Sequence, residues 1–166
     1  KFTQTCTCNF FHSHQALIIF FIETKKIHHS HMGFSIEEFS TSSTTFTVYD
    51  MSGNGRYRTL WQYFFPETQG IMFVIDSSDR KRLYTVKDVL YSLLKGEGGI
   101  CIFNHLEIKE IPILFVANKQ DLENCLSRSE IVQALQLETI TDRDWHIVYE
   151  MFFGEILLIG DSESNA

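Results

Sequence analysis

Glycine is absent from the first 32 residues of this 166-residue chain, and the first one is Gly33. A phosphate-binding loop of the Gly-x-x-x-x-Gly-Lys-Ser/Thr type needs glycines so that successive backbone N–H groups can turn around a phosphate. The apolar run Gln15 to Ile22 imitates a buried first strand, but Glu23-Thr24-Lys25-Lys26 follows where such a loop would stand. Because residues 1–32 contain no glycine, they do not form a phosphate loop of this type.

Cysteines and long apolar runs are also scarce. The four cysteines, at positions 6, 8, 101 and 125, form no spaced framework, so we predict reduced thiols and no disulfide. The longest purely apolar run, Ala16 to Ile22, has seven residues, whereas a membrane-spanning helix needs about 20. No small-residue cleavage site follows that run. We predict a cytoplasmic protein without a transmembrane segment.

Basic residues are outnumbered, with 14 Lys and Arg against 21 Asp and Glu and a net charge of -7. A nucleic-acid partner is excluded because no basic face is available to neutralise phosphates in number. The length and the 44% hydrophobic content are those of one globular domain.

Histidines and cysteines concentrate in residues 1–31, where five of the seven histidines occur. The pairs Cys6-x-Cys8 and His12-x-His14 do not match the usual ligand spacings of C-x₂₋₄-C and H-x₃₋₅-H. We therefore predict no metal site there. Such a composition is typical of a translated intron or a wrong start exon.

Polar residues follow two strand-like runs. The run Thr45 to Tyr49 leads to Asp50 and Gly53, and Ile111 to Ala117 leads to Asn118-Lys119-Gln120-Asp121. Open α/β sheets bind ligands at the carboxyl ends of their strands. The Asp50 carboxylate can hold Mg²⁺ through water, and the Gly53 N–H can approach a phosphate. Together these features indicate a nucleotide switch.

The same residues resemble the small GTPases, through Asp-x-x-Gly at 50–53 and Asn-Lys-x-Asp at 118–121. Two segments are similar to the Arf and Arf-like branch, Arg58-Thr59-Leu60-Trp61 and Val74 to Arg80. Two others, Gly33 to Glu37 and Asp144 to Ile147, are similar to the members of that branch that act in Bardet-Biedl ciliary trafficking. The resemblance covers roughly residues 32 to 148. It implies an α/β P-loop NTPase fold with a mostly parallel sheet, incomplete at both ends.

The resemblance assigns GTP or GDP and Mg²⁺ as ligands. The nucleotide-binding residues it implies are Gly53, Asn118, Lys119, Gln120 and Asp121. Asp50 would contact the magnesium ion through water. The Asp121 carboxylate can accept two hydrogen bonds from guanine that adenine cannot offer, and Lys119 would lie along the base. Effector proteins of ciliary coat type, bound through the switch regions, and association with ciliary membranes are also implied.

Three positions depart from the family pattern. His31 stands where the family has a magnesium-binding threonine, and imidazole is a poor ligand for a hard cation. Asn54 replaces the glutamine that orients the attacking water, and it is about 1.5 Å too short for that role. It can equally be a turn residue between two glycines. Tyr149-Glu150 replaces the Ser-Ala turn that reads guanine.

We predict one domain, with an Arf-like body at 32–149, an insertion at 95–103 and atypical segments at 1–31 and 150–166. The hairpin Gly33 to Tyr49, a helix from Ser78 or Asp79 to Leu94, a helix at Ser127 to Leu135 and a strand at Trp145 to Tyr149 belong to the body. The first and last helices of the family are missing from the sequence. We therefore expect one sheet face to be bare.

Three hypotheses follow for the function. The chain is a working GTP-binding switch, a splice or gene-model fragment with little nucleotide binding, or a non-enzymatic interaction module. The phosphate-side elements depart from the family pattern together, while Asn-Lys-x-Asp at 118–121 is whole, and this favours the fragment hypothesis over intact activity.

Overall fold

The computed structural model describes residues 16–22, 33–40, 45–95 and 111–150, and a six-stranded sheet forms its centre. The strand order is β2-β3-β1-β4-β5-β6. The strands, in chain order, are β1 (Ala16–Ile22), β2 (Phe34–Ser40), β3 (Thr45–Met51), β4 (Gly70–Asp76), β5 (Ile113–Asn118) and β6 (Trp145–Glu150).

The strands β4, β5 and β6 pair in parallel, and β2 and β3 form the predicted antiparallel hairpin. The strands β3, β4, β5 and β6 all run in one direction. The α/β class expected from the sequence is thus confirmed. The parallel strands are those whose ends carry the candidate site.

The strand β1 runs against both of its neighbours, because it pairs antiparallel with β3 and with β4. Its last residue, Ile22, is level with Thr47, while its first, Ala16, is level with Ile75 at the end of β4. A phosphate loop placed directly after β1 would therefore begin at the edge opposite the candidate site. Ala16–Ile22 has no polar residue at any position, so its pattern does not specify a direction.

Two helices pack on one face of the sheet, α1 (Leu83–Lys95) and α2 (Arg128–Leu135). The predicted cap Asp79 precedes a 3₁₀ turn at Arg80–Arg82, and its side chain accepts a hydrogen bond from the backbone of Arg82. Ser127 caps α2 in a capping box with Glu130. The apolar stripe of α1 is buried, and its buried residues are Val86, Val89, Leu90, Leu93 and Leu94.

The main core lies between these helices and the sheet. Phe73 and Phe115 on adjacent strands meet edge to face, with ring centroids 5.9 Å apart, and Trp145 meets Phe115 at 6.1 Å. The 3₁₀ segment Arg58–Tyr63 closes the core beside the hairpin, with Trp61 fully buried. This packing fixes the loop between Met51 and Trp61.

The opposite face carries a smaller apolar cluster, in which Met72, Val74 and Val116 are buried. The residues of this cluster, including the partly buried ones, all belong to strands, and no helix of the described ranges contributes to it. We expected this face to be bare, and the burial of Met72, Val74 and Val116 shows that this is wrong at the centre of the sheet. Three residues on adjacent strands there are shielded from solvent.

Several predicted features lie outside the described residues. They are the Cys and His pairs at positions 6 to 14, His31, the insertion from residue 96 onward and the tail after Glu150. Among the described helices, none is both long and apolar enough to cross a membrane.

Candidate functional site

The strands β4 and β5 end side by side, and their last residues form the floor of the site. Asp76 pairs with Asn118 in the parallel register, and the Ser77 N–H donates to the Asn118 carbonyl at 3.1 Å. The Leu126 N–H in turn donates to the Ser77 carbonyl at 2.8 Å. The edge of the sheet and the loop after β5 are thus joined by backbone hydrogen bonds.

An ion pair connects the two strand ends. The Lys119 ammonium lies 2.6 Å from Asp76 Oδ2, with the two side chains only 30% and 13% exposed. Ser78 donates to Asp76 Oδ1 from its backbone N–H at 3.0 Å and from its hydroxyl at 2.6 Å. Burial opposes ionisation of Asp76, but the hydrogen bonds from Lys119 and Ser78 outweigh it and lower the pKa of this carboxyl.

The turn that begins at Asn118 is held by its own atoms. Asn118 Oδ1 accepts from the Lys119 N–H at 2.8 Å, and the Lys119 carbonyl accepts from the Leu122 N–H at 3.2 Å. Lys119 adopts a left-handed φ of 62°. Gln120, predicted to bind nucleotide, instead turns its amide toward the Leu126 carbonyl at 3.2 Å and accepts from the Cys125 thiol at 3.4 Å. Its side chain closes the loop.

Asp121 differs from its neighbours because its side chain is exposed. No hydrogen bond or ion pair occupies its carboxylate within the part of the chain that the structure describes. Both oxygens are therefore available to a ligand at the edge of the sheet. Two oxygens on one carboxylate match a ligand with two adjacent N–H donors.

The loop after β3 is fixed by two side chains of the following 3₁₀ segment. The indole N–H of Trp61 donates to the Ser52 carbonyl at 3.2 Å, and Arg58 Nε donates to the Gly53 carbonyl at 2.9 Å. Burial lowers the pKa of the Arg58 guanidinium. With both carbonyls engaged, the Gly53 N–H has no acceptor among the described residues. Gly53 itself is buried, and a contact from its N–H to a phosphate stays a prediction.

Gly33 connects the hairpin to the same loop. Its carbonyl accepts from the Ser52 N–H at 3.0 Å, and its φ is 101°. A Cβ at this position would lie 2.8 Å from Cδ1 of the Tyr57 ring. The position therefore requires glycine for two reasons, its backbone conformation and the close approach of the ring.

Asn54 is exposed, and its side chain is engaged in a local turn. Its Oδ1 accepts from the Arg56 N–H at 3.1 Å, and its backbone N–H donates to Ser52 Oγ at 3.3 Å. This is the Asx turn expected for a turn residue. The catalytic role considered for Asn54 has no support from this geometry, because its amide oxygen is already in use.

Asp50 is the candidate residue for magnesium. Burial raises the pKa of its carboxyl to about 6, and the negative charge of Glu37 adds to the effect. Ser35 lies opposite Asp50 in the hairpin and Glu37 opposite Val48, so the two carboxyl groups share one sheet face. The described residues contain no group of three or more His, Cys, Asp or Glu that could hold a metal. A water-mediated contact from Asp50 to Mg²⁺ stays a prediction.

Asp50 and Asp76 are not close together. Asp50 is level with Ile19, which is level with Met72, so Asp50 lies four residues before Asp76 along the strand direction. Four residues correspond to about 13 Å along the strands, and two strand spacings to about 10 Å across them. The candidate phosphate side and base side are therefore separate parts of one edge.

Comparison with known proteins accounts for this combination of fold and residues. Residues 16–154, more than half of the chain, match the ADP-ribosylation factor (Arf) family. The chain belongs to the Arf family. Among curated proteins it is 49% identical over 132 residues to ADP-ribosylation factor-like protein 6 of Danio rerio. That match covers 78% of this chain and 66% of the relative's own length.

A solved Arf-family structure is similar in fold. The Arl6 (BBS3) small GTPase of Trypanosoma brucei, with the bound nucleotide analogue GppNp, matches with a TM-score of 0.61 and 29% sequence identity. The match covers 78% of this chain and 74% of that one. The family resemblance inferred from the motifs is confirmed.

Sequence reasoning missed two residues of this Arf-family site. Neither Asp76 nor Trp61 belongs to the nucleotide motifs. Asp76 binds the Lys119 ammonium, and the Trp61 indole N–H donates to the Ser52 carbonyl. The signal for Asp76 was its place at the end of a buried strand next to another such strand. The expectation that Lys119 lies along a base stays a prediction, and the structure adds that its ammonium is bound to Asp76.

Proposed function

We propose that the chain binds guanine nucleotides by reading the base with Asn118 and Asp121, and that it holds the phosphates only weakly. The observation that carries this proposal is the Asp121 carboxylate. It is exposed and free of hydrogen bonds in the described ranges, beside a turn that three polar contacts fix. Guanine offers two adjacent donors to such a carboxylate, and adenine does not.

The phosphate side is weaker for a physical reason. The strand β1 ends at Ile22, at the edge opposite the end of β4, and the first glycine follows only at Gly33. Gly53 keeps one N–H for a phosphate, and Asp50 would hold Mg²⁺ through water. When bound, the ion neutralises phosphate charge. With its Oδ1 in the turn, Asn54 does not orient an attacking water, so we infer slow hydrolysis.

Competition binding tests the base-reading proposal. A fluorescent GDP analogue is titrated onto the chain and displaced by GDP or by ADP. We expect GDP to displace it at least tenfold better, since ADP leaves Asp121 without donors. Asp121→Ala should abolish the preference, while Glu123→Ala, an exposed carboxylate in the same loop, should keep it. Equal displacement by ADP and GDP by the unaltered chain would reject the proposal.

We further propose a role in trafficking of membrane proteins to cilia, through effectors of ciliary coat type. The identity to ADP-ribosylation factor-like protein 6 supports this role. Tyr63 ends the 3₁₀ segment after the Gly53 loop and is 66% exposed. It offers an aromatic contact for an effector, whether the chain acts as a nucleotide switch or as an interaction module without enzymatic activity. Fluorescently tagged chain in ciliated cells should concentrate at the ciliary base, and Tyr63→Ala should reduce this. A uniform cytoplasmic signal would contradict the role.

A further inference from the structure

The Asp76 carboxylate is the centre of a closed polar network. Its Oδ2 accepts from the Lys119 ammonium at 2.6 Å, and its Oδ1 accepts twice from Ser78, at 3.0 and 2.6 Å. The carboxylate is 13% exposed, so solvent has little access to these bonds. Both oxygens are in use, and among the residues that the structure describes Lys119 is the cation paired with Asp76.

Lys119 has a backbone conformation that needs support. Its φ of 62° lies in the left-handed region, which a residue with a long side chain adopts only when its surroundings hold it there. Its N–H bonds to Asn118 and its carbonyl to Leu122, which are both in the same turn. The bond to Asp76 is the side-chain contact that joins Lys119 to β4, beside the backbone bond from the Ser77 N–H to the Asn118 carbonyl.

We propose that Asp76 is a positioning residue for guanine recognition, which holds Lys119 and thereby keeps the Asn118–Asp121 turn in its base-reading shape. The inference rests on the proposed function, because it assigns a supporting role within the same site. Asp76 does not touch the base. It acts through Lys119, whose backbone leads directly to Asp121 two residues later.

Exchange of backbone amide hydrogen in the nucleotide-free chain tests this positioning without any ligand. Asp76→Asn keeps the size of the side chain but removes its charge. We expect it to increase exchange at the Lys119 and Leu122 amides by about tenfold, since it weakens a charge-assisted hydrogen bond, and to leave the amides of α1 unchanged. Lys119→Met removes the same bond from the other side and should give the same increase. Asp79→Asn alters the neighbouring surface ion pair with Arg82 and should give none.

Nucleotide binding supplies the second readout. Asp76→Asn should weaken GDP binding about tenfold and lower the preference for GDP over ADP. In the Lys119→Met background, Asp76→Asn should have no further effect on either quantity, because Asp76 acts through Lys119. An additional loss in that background, or an unchanged preference in the single variant, would overturn the inference.

The two proposals can fail separately. If the unaltered chain does not prefer GDP over ADP, the proposed function is rejected, and the exchange experiment still decides whether Asp76 holds the turn. If the chain prefers GDP but Asp76→Asn leaves both the preference and the exchange at Leu122 unchanged, the proposed function stands and Asp76 has no positioning role.

Discussion

Replacing Asp50 by asparagine should stabilise the protein at neutral pH and leave its stability unchanged near pH 4. Burial, with a contribution from Glu37, raises the pKa of Asp50 from 3.8 to about 6. Between these values the folded state binds more protons than the unfolded state. The stability of the unaltered chain therefore falls as the pH rises through this window, and the loss is complete above pH 6.

The size of the effect follows from the shift in pKa. A difference of two pKa units corresponds to about 3 kcal/mol, and partial solvent access to Asp50 reduces this to about 2 kcal/mol. Asparagine carries no charge and so avoids the cost at every pH. Other carboxyl groups titrate in the same range, so the quantity to measure is the difference between variant and unaltered chain at each pH.

Urea unfolding of both proteins at pH 4.0 and pH 7.0 measures this difference. We expect Asp50→Asn to be about 2 kcal/mol more stable at pH 7.0 and equally stable at pH 4.0. Glu37→Gln should give a smaller gain in the same direction, because it removes only the second cause. Asp88→Asn, an exposed carboxylate on α1, should give none. A variant that is less stable at pH 7.0 than the unaltered chain would refute the reasoning.

Two further predictions concern the loop after β3, with urea unfolding at pH 7.0 as the measurement. Trp61→Phe should cost about 1–3 kcal/mol beyond Trp145→Phe, because among the described residues the Trp61 indole has a carbonyl acceptor, which would be left buried without a donor, and the Trp145 indole has none. Equal costs would argue against the hydrogen bond. Gly33→Ala should cost about 1–3 kcal/mol because of its positive φ and the close ring, whereas Gly55, with open space around its Cα, should tolerate alanine. If both alanine variants unfold at the same urea concentration, Gly33 does not have the strained geometry described above.

Elements with a local sequence signal were predictable. The hairpin follows from two short strand-like runs around a polar turn, and the start of α2 follows from Ser127 and Glu130 at capping-box spacing. The end of β5 at Asn118 was marked by the change from an apolar run to polar residues. In each case the information lies in one continuous stretch of sequence, so tertiary contacts were not needed to read it.

Features that depend on strand neighbours were not predictable. The direction of β1 is set by pairing with β3 and β4, and a strand apolar at every position carries no pattern that selects it. The bond between Asp76 and Lys119 joins residues 43 positions apart, and it exists only because β4 and β5 end at the same level.

The central claim is that the base side of the site is formed and the phosphate side is not, and comparing guanosine with GTP tests it most directly. Both ligands are titrated with Mg²⁺ present while the Leu122 amide is followed by NMR. A phosphate loop would add on the order of five hydrogen bonds at about 1.5 kcal/mol each, or roughly five decades in Kd. We predict that GTP binds within about tenfold of guanosine, through the same Leu122 shift. Binding of GTP about a thousandfold tighter than guanosine would contradict the account, because it requires a phosphate site as strong as the base site.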